Sequence, residues 1–194
     1  MQHITHADLL PLEQYARQRG RWRERVIAHK KPRSLQVGPN TTWCFEDRLT
    51  IHYQIQEMLR AEKTFEAHGI EDELAAYNPL IPDGANWKVT LLIEYTESAE
   101  REQALARLQG IEDRCWVRVA GQAQVFAIAD EDLERENDAK TSAVHFLRFE
   151  LSPAMIGALK SGAGLALGID HPCYGHLIDP VAELSARALV ADFD

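Results

Sequence analysis

The strongest strand pattern in the sequence is Ser142-Ala143-Val144-His145-Phe146-Leu147-Arg148-Phe149-Glu150-Leu151. Its residues alternate between two faces, which is typical of a β-strand. One face holds Ala143, His145, Leu147, Phe149 and Leu151, and the other holds Val144, Phe146 and Arg148. Because both faces are mainly apolar, we expect this strand to lie inside a sheet and to be covered on both sides. Each face also carries one polar side chain, His145 on the first and Arg148 on the second. At a buried position such a side chain needs a hydrogen-bond or ion-pair partner.

The second half of the chain predicts further strands around this stretch. They cover residues 87–95, 114–120, 123–129, 165–170 and 174–178. Gly121-Gln122 is typical of a hairpin turn. Helices are predicted at residues 98–109, at 153–160 and after Pro180. An acidic stretch at 130–138 interrupts the pattern, and it lacks the glycine and the closing glutamate of a calcium loop.

The first half of the chain is mainly helical. A helix opens near Thr5-x-x-Asp8, runs to about Lys31 and stops at Pro32. Short strands follow at 34–37 and 41–46. A second helix covers 49–67 with Gly69 as its cap, and a third ends at Pro79. The whole pattern predicts an α+β protein in which helices cover one face of a largely antiparallel sheet, beside a helical N-terminal segment.

Charge is unevenly distributed along the 194 residues. Residues 1–36 hold eight Lys or Arg against three Asp or Glu, a net charge of +5. The total of −9 leaves −14 for the remainder. We therefore describe a single domain, 1–194, with a basic helical arm (1–33) and an acidic body (34–194). The arm could pack on its own body, dock to an acidic partner or grip nucleic acid, and the acidic body argues against nucleic acid.

Composition excludes several classes of protein. With 45% hydrophobic and 26% charged residues, the chain is neither disordered nor membrane-spanning, because no apolar run approaches the length of a spanning helix. The first residues show no signal-peptide pattern. The three cysteines are scattered, so we expect free thiols and a cytoplasmic location.

The predicted helix 49–67 contains an anomaly of its own. Its apolar stripe consists of Ile51, Ile55, Met58, Leu59 and Phe65, and Glu62 falls in the middle of it. A carboxylate at such a position needs a partner. Either Glu62 forms a structural ion pair at the rim, or it faces a ligand or metal.

These polar positions supply the candidate site residues. The catalytic candidates are Glu57, Glu62, His145 and Arg148. The ligand-binding candidates are Glu62, Tyr77 and Arg148. The metal candidates are Glu62, His145 and His171, the last from the segment Asp170-His171-Pro172-Cys173-Tyr174-Gly175-His176, and a divalent metal is a conceivable cofactor. No nucleotide-binding or hydrolase motif accompanies them.

Several strings of the sequence resemble a bacterial family, domain-of-unknown-function family 3501. The strings are Ile4-Thr5-x-x-Asp8-Leu9, Phe45-Glu46, Gln54-Ile55-Gln56-Glu57-Met58-Leu59-Arg60-Ala61-Glu62, Glu73-Leu74-x-x-Tyr77-Asn78-Pro79-Leu80-Ile81-Pro82, Asp130-Glu131-Asp132 and Lys140-Thr141-Ser142-Ala143-Val144-His145-Phe146-Leu147-Arg148-Phe149. The resemblance implies a single-domain protein and supplies no activity. It also implies a redox or stress setting, beside rubrerythrin-like and iron–sulfur proteins.

Two functional hypotheses follow. The first is a cytoplasmic accessory or interaction protein in a redox or stress pathway, which binds a redox or iron–sulfur partner through its basic arm or acidic surface. The alternative is a small-molecule or metal-binding enzyme with a Glu/His/Arg pocket, in which a carboxylate acts as base beside a histidine and an arginine anchor. Neither hypothesis involves nucleic acid or a membrane, and both leave the oligomeric state open.

Overall fold

The computed structural model describes residues 2–131 and 140–193. The α-helices in these residues are α1 (Leu12–Lys30), α2 (Arg48–Glu62), α3 (Ala67–Tyr77), α4 (Ser98–Arg107), α5 (Pro153–Lys160) and α6 (Glu183–Val190). The strands are β1 (Ser34–Gln36), β2 (Thr41–Glu46), β3 (Asn86–Ile93), β4 (Cys115–Val119), β5 (Gln124–Phe126), β6 (Ile128–Ala129), β7 (Val144–Glu150), β8 (Leu165–His171) and β9 (Tyr174–Ile178). Most of the acidic stretch, residues 132–139, lies outside the described residues.

The strands form two antiparallel sheets. One has the order β1-β2-β3-β7-β6 and the other the order β5-β4-β8-β9. The α+β class is confirmed, but the expectation of one sheet is wrong. The reason lies in the predicted strand 123–129, which divides at Ala127: β5 pairs with β4 across the Gly121 hairpin, and β6 pairs with β7 in the other sheet.

The larger sheet has an inner and an outer face that follow strand alternation. β7 lies between β3 and β6, as the sequence predicts for an interior strand. The inner face carries Trp43, Phe45, Trp87, Val89, Leu91, His145, Leu147 and Phe149, and its apolar residues share one hydrophobic cluster with residues of the second sheet. The outer face carries Cys44, Glu46, Lys88, Thr90, Leu92, Val144, Phe146 and Arg148, all of them partly buried except Glu46, which is buried.

A helical layer covers part of the outer face. α1 packs on α2 and α2 on α3, around a second hydrophobic cluster that includes Ile4, Ile51, Ile55 and Leu74. The basic arm therefore packs on its own body, and within α1 Arg17 forms an i,i+4 ion pair with Glu13 at 2.6 Å. No helix in the described part of the chain is both long and apolar enough to cross a bilayer.

The boundary between α2 and α3 differs from the prediction. α2 ends at Glu62, where Lys63 adopts a left-handed conformation with a φ of 57°. α3 then begins at Ala67, so Gly69 lies inside that helix and caps nothing. Lys63 thus takes the left-handed capping position that we predicted for Gly69, and α2 ends several residues earlier than predicted.

A candidate ligand-binding cleft

Glu62 does not face the interior. The apolar stripe of α2 stops at Leu59, because the helix ends before Phe65 could extend it. Glu62 is exposed and Phe65 is 74% exposed. The prediction of a carboxylate within an apolar stripe is therefore wrong, and α2 contributes no buried acid at this position.

Glu57 joins α1 to α2. Arg19 donates hydrogen bonds to both of its carboxylate oxygens at 2.7–3.1 Å, and Tyr15 Oη donates at 2.6 Å. The hydrogen bond from Arg19 is the main reason why the pKa of Glu57 lies below its usual value, and partial burial opposes it only in part. This arrangement fixes the N-terminal helix on the body and occupies the carboxylate that we considered for catalysis.

His145 is fully buried on the inner face, as alternation predicts. Its Nδ1 lies 2.6 Å from Asp130 Oδ2, and its Nε2 lies 3.0 Å from Thr141 Oγ1 and 3.1 Å from the Ser142 carbonyl oxygen. Glu112 Oε2 is 3.8 Å from Nε2. Both ring nitrogens therefore have oxygen atoms within hydrogen-bond distance.

The cluster of Glu112, Asp130 and His145 has two chemical uses. One ligand atom from each residue lies within 4.8 Å of the others, a spacing compatible with a divalent cation. The same spacing lets the imidazole ring form hydrogen bonds that tie Asp130 to Thr141 and Ser142. Asp130 also accepts a hydrogen bond from the Phe146 backbone amide at 2.8 Å, which ties the carboxylate to β7.

His171 lies at the turn between β8 and β9 and does not join this cluster. Its Nε2 donates to the Gln109 carbonyl oxygen at 3.1 Å, and its Nδ1 accepts from the Cys173 amide at 3.1 Å. Nδ1 thus stabilises the turn, and Nε2 joins the turn to the segment after α4. His176 packs on Tyr174, with ring centroids 4.5 Å apart. The three cysteines are free, as predicted.

Arg148 crosses the outer face between two carboxylates. Its Nε and Nη2 donate to Glu131 at 2.7 and 2.6 Å, and Nη1 donates to Glu150. These hydrogen bonds, with that from Glu131 the largest cause, raise the pKa of Arg148 although partial burial opposes them. Arg148 is therefore neutralised by its own chain, and a ligand would have to displace a carboxylate to bind it directly.

Two adjoining cavities lie between the outer face and the helical layer, and we call them together the cleft. The first, of about 310 Å³, is lined by Lys30, Cys44, Glu46, Ile51, Gln54, Tyr77, Leu80, Thr90, Leu92, Val144 and Phe146. The second, of about 290 Å³, is lined by Pro79, Leu80, Lys88, Glu131, Phe146, Leu147 and Arg148. Leu80 and Phe146 line both. Tyr77 and Arg148, two predicted ligand-binding residues, thus face the cleft, one in each cavity.

Sheet register explains how the charges of the cleft are arranged. Glu46, Lys88 and Arg148 are paired neighbours on β2, β3 and β7, and so form one row across the outer face. The next row is Cys44, Thr90 and Phe146. Burial, and after it the like charge of Arg148, lowers the pKa of Lys88. Burial raises the pKa of the Cys44 thiol, which keeps it protonated.

The sequence analysis missed Lys30, Cys44, Glu46 and Lys88 as site residues. A signal was present, since alternation along 41–46 places Cys44 and Glu46 on the face opposite Trp43 and Phe45. That alternation identifies the outer face of the sheet. It does not predict the cleft, because the helices that cover this face are remote in sequence.

The fold and the cleft define an α+β protein with two antiparallel sheets and a ligand-sized space beneath a helical layer. The chain belongs to the family described as "Protein of unknown function (DUF3501)", whose model matches residues 3–193. It is similar to a crystal structure of a novel protein of unknown function from Burkholderia pseudomallei, with 52% identity, a TM-score of 0.93 and 100% of each chain covered. No curated protein matches it. The resemblance to family 3501 and its bacterial character are confirmed.

Proposed function

We propose that the protein binds a small polar molecule in the cleft. One observation carries this proposal: Lys30 and Lys88 are half-buried residues that line the two adjoining cavities, and neither amine has a carboxylate oxygen within 4.0 Å in residues 2–131 and 140–193. A partly buried amine with no carboxylate in direct contact has lost hydration that no ion pair replaces. A ligand with a negative group supplies that ion pair.

The dimensions and lining of the cleft support the same function. Each cavity lies near the lower end of the range for small-molecule sites, about 300–1,000 Å³. Apolar side chains such as Ile51, Leu80 and Phe146 provide contact area, while the few polar groups provide orientation. The lowered pKa of Lys88 is the expected consequence of an amine held in such surroundings.

A second candidate function is the first hypothesis of the sequence analysis, an interaction protein, which would dock to an acidic partner through α1. Its support is separate: Arg21, Arg23 and Arg25 are exposed and make no ion pair within the described residues. Binding of a polyglutamate probe that is lost when these arginines become serine would favour it. The redox or iron–sulfur partner stays a prediction, and burial raises the pKa values of Cys44 and Cys115, which disfavours thiolate chemistry at either residue.

A fragment screen observed by protein NMR tests small-molecule binding. We expect polar fragments to perturb the amides of β2, β3, β7 and α3, and the perturbations to weaken in Lys30→Met and Lys88→Met. Lys31→Met is the matched control, because Lys31 is the exposed neighbour of Lys30 and lines neither cavity. Perturbations that map elsewhere, or that are equal in all three variants, would refute the proposal.

A further inference from the structure

Glu46 is the most buried charged group of the cleft. It ends β2, is 7% exposed and lines the first cavity. Its Oε1 accepts a hydrogen bond from Thr90 Oγ1 at 2.8 Å, and no Lys, Arg or His nitrogen lies within 4.0 Å of its carboxylate in residues 2–131 and 140–193. A carboxylate offers about four lone-pair positions. One neutral hydroxyl is therefore a poor replacement for the water that Glu46 loses on burial.

Lys30 provides the opposite charge in the same cavity without reaching Glu46. Both side chains line the first cavity, yet their charged ends lie more than 4.0 Å apart. The cavity that they share, about 310 Å³, is also lined by the apolar residues Ile51, Leu92 and Phe146. An acid and an amine that line one partly apolar cavity suit a molecule that carries an amine, an acid and an apolar portion.

We infer that the first cavity binds a zwitterion, an α-amino acid with an apolar side chain, whose ammonium group meets Glu46 and whose carboxylate meets Lys30. This inference rests on the proposed function and names its ligand class. The ligand completes two ion pairs at once. An acid alone would leave Glu46 without a cation, and an amine alone would leave Lys30 without an anion, so each would bind more weakly.

Neighbouring groups are consistent with this orientation. Thr90 fixes Glu46 from the sheet side, so the carboxylate keeps its place when the cavity is empty. Gln54 and Tyr77 lie at the helical side and offer neutral donors and acceptors. Arg148 belongs to the second cavity and is occupied by Glu131 and Glu150, which leaves Lys30 as the anion partner in the first.

The test compares amino acids with analogues that lack one charge. The probes are the proteinogenic L-amino acids, and for leucine the matched pair 4-methylpentanoate and 3-methylbutylamine, each titrated by calorimetry and by NMR. We expect at least one apolar amino acid to bind in the cleft. Its deaminated and decarboxylated analogues should each bind with an affinity at least about tenfold lower.

Two variants assign the ammonium contact. Glu46→Gln keeps the acceptor for Thr90 and should lose about tenfold in affinity for the amino acid while its affinity for the acid analogue is unchanged. Glu94→Gln is the matched control, since Glu94 also accepts a hydrogen bond from a threonine on the neighbouring strand, Thr42, at 2.6 Å but is exposed.

The outcomes separate this inference from the proposed function. If polar fragments bind in the cleft but no amino acid does, or if the analogues bind as tightly as the amino acid, the zwitterion inference is wrong and the binding function stands. Equal affinity in Glu46→Gln and wild type would also overturn the inference. If no compound of any class perturbs the cleft, both are wrong.

Discussion

The inner and outer faces of the five-stranded sheet are built by the same strands, yet they differ in how completely the chain itself pairs their polar residues. On the inner face, His145 is 0% exposed and has oxygen atoms near both ring nitrogens. On the outer face, Glu46 and Lys88 are neighbours in register but have no ion pair among the described residues. A polar residue on an apolar face is therefore a sign of a site only when its partners do not come from the chain itself.

The covering layer accounts for this difference. The inner face packs against the second sheet in one continuous hydrophobic cluster. The outer face meets helices whose own cluster, around Ile55 and Leu74, is separate, and the two layers leave cavities of about 310 and 290 Å³ between them. Closely packed interiors tolerate volume changes poorly, whereas a surface beside a cavity adapts.

The largest expected effect comes from opening the inner face. Phe149 stacks on Trp43 with ring centroids 5.5 Å apart, and both are buried. Phe149→Ala should reduce the free energy of unfolding by about 3–5 kcal/mol in urea titrations, because it removes a ring that its neighbours cannot replace. Leu92→Ala, beside the cleft, should cost clearly less. Equal losses at the two positions would show that the faces are packed alike.

The next effect concerns His145. His145→Leu keeps an apolar volume but leaves Asp130 and Thr141 without the ring, and should cost about 2–3 kcal/mol in the same titration. Arg148→Leu on the outer face removes partly exposed ion pairs and should cost less than about 1 kcal/mol. If Arg148→Leu reduced the free energy of unfolding more than His145→Leu, the outer face would depend more on its polar contacts than the inner face.

The hypothesis of a divalent metal at His145 has a direct test in the same variant series. If Glu112, Asp130 and His145 hold a cation, zinc or manganese should raise the melting temperature of the wild type and not that of His145→Gln. Because the ring nitrogens of His145 already lie within hydrogen-bond distance of oxygen atoms, we expect added metal to shift the melting temperatures of the wild type and of His145→Gln equally. A rise specific to the wild type would establish the metal.

Part of this comparison could be predicted from the sequence. Alternation along 142–151 places His145 inward and Arg148 outward, and the structure agrees. Local pattern could not show that residues 124–129 divide between two sheets, because the pairing partner of Ala129, Leu147 on β7, is remote in sequence. Helical periodicity also overestimated the length of α2, since it does not detect that Lys63 adopts a left-handed conformation and ends the helix.

The candidate site was predicted less well than the fold. Tyr77 and Arg148 line the cleft, but Glu62 is exposed and Glu57 joins two helices. Sequence pattern identifies acids that interrupt an apolar stripe. Glu46 interrupts no apolar stripe, because it is the last residue of β2. It is buried because helices cover that end of the strand.

A smaller, pH-dependent effect concerns the attachment of the helical layer. Asp47 caps α2 by accepting from the Leu49 and Thr50 amides at 2.9 Å, and it lies 2.5 Å from His29 Nε2 and 3.5 Å from Arg33 Nε. Burial alone would raise the pKa of Asp47, but Arg33, the Thr50 amide and His29 together hold it below its usual value.

The sign of the pH effect follows from that direction. A carboxyl group with a lowered pKa in the folded state stabilises the protein above its unfolded pKa, near 4, and that stabilisation is lost as pH falls through the folded pKa. Asp47→Asn keeps a good cap but removes the charge, and should cost about 1–2 kcal/mol at pH 7 and less at pH 3. Burial raises the pKa of Asp192, which acts in the opposite direction, so the difference between wild type and variant is the quantity to measure. A constant difference across this range would contradict the assignment.

The smallest expected effect is at Glu62, where the sequence and the structure disagree most directly. Because Glu62 is exposed at the end of α2, both Glu62→Gln and Glu62→Leu should change the free energy of unfolding by no more than about 0.5 kcal/mol. Neither substitution should alter fragment binding in the cleft, which Glu62 does not line. A buried carboxylate would behave differently, since Glu62→Leu would then stabilise the protein markedly. Such a gain, or any loss of ligand binding, would mean that α2 continues beyond Glu62 in solution and carries this acid toward the outer face.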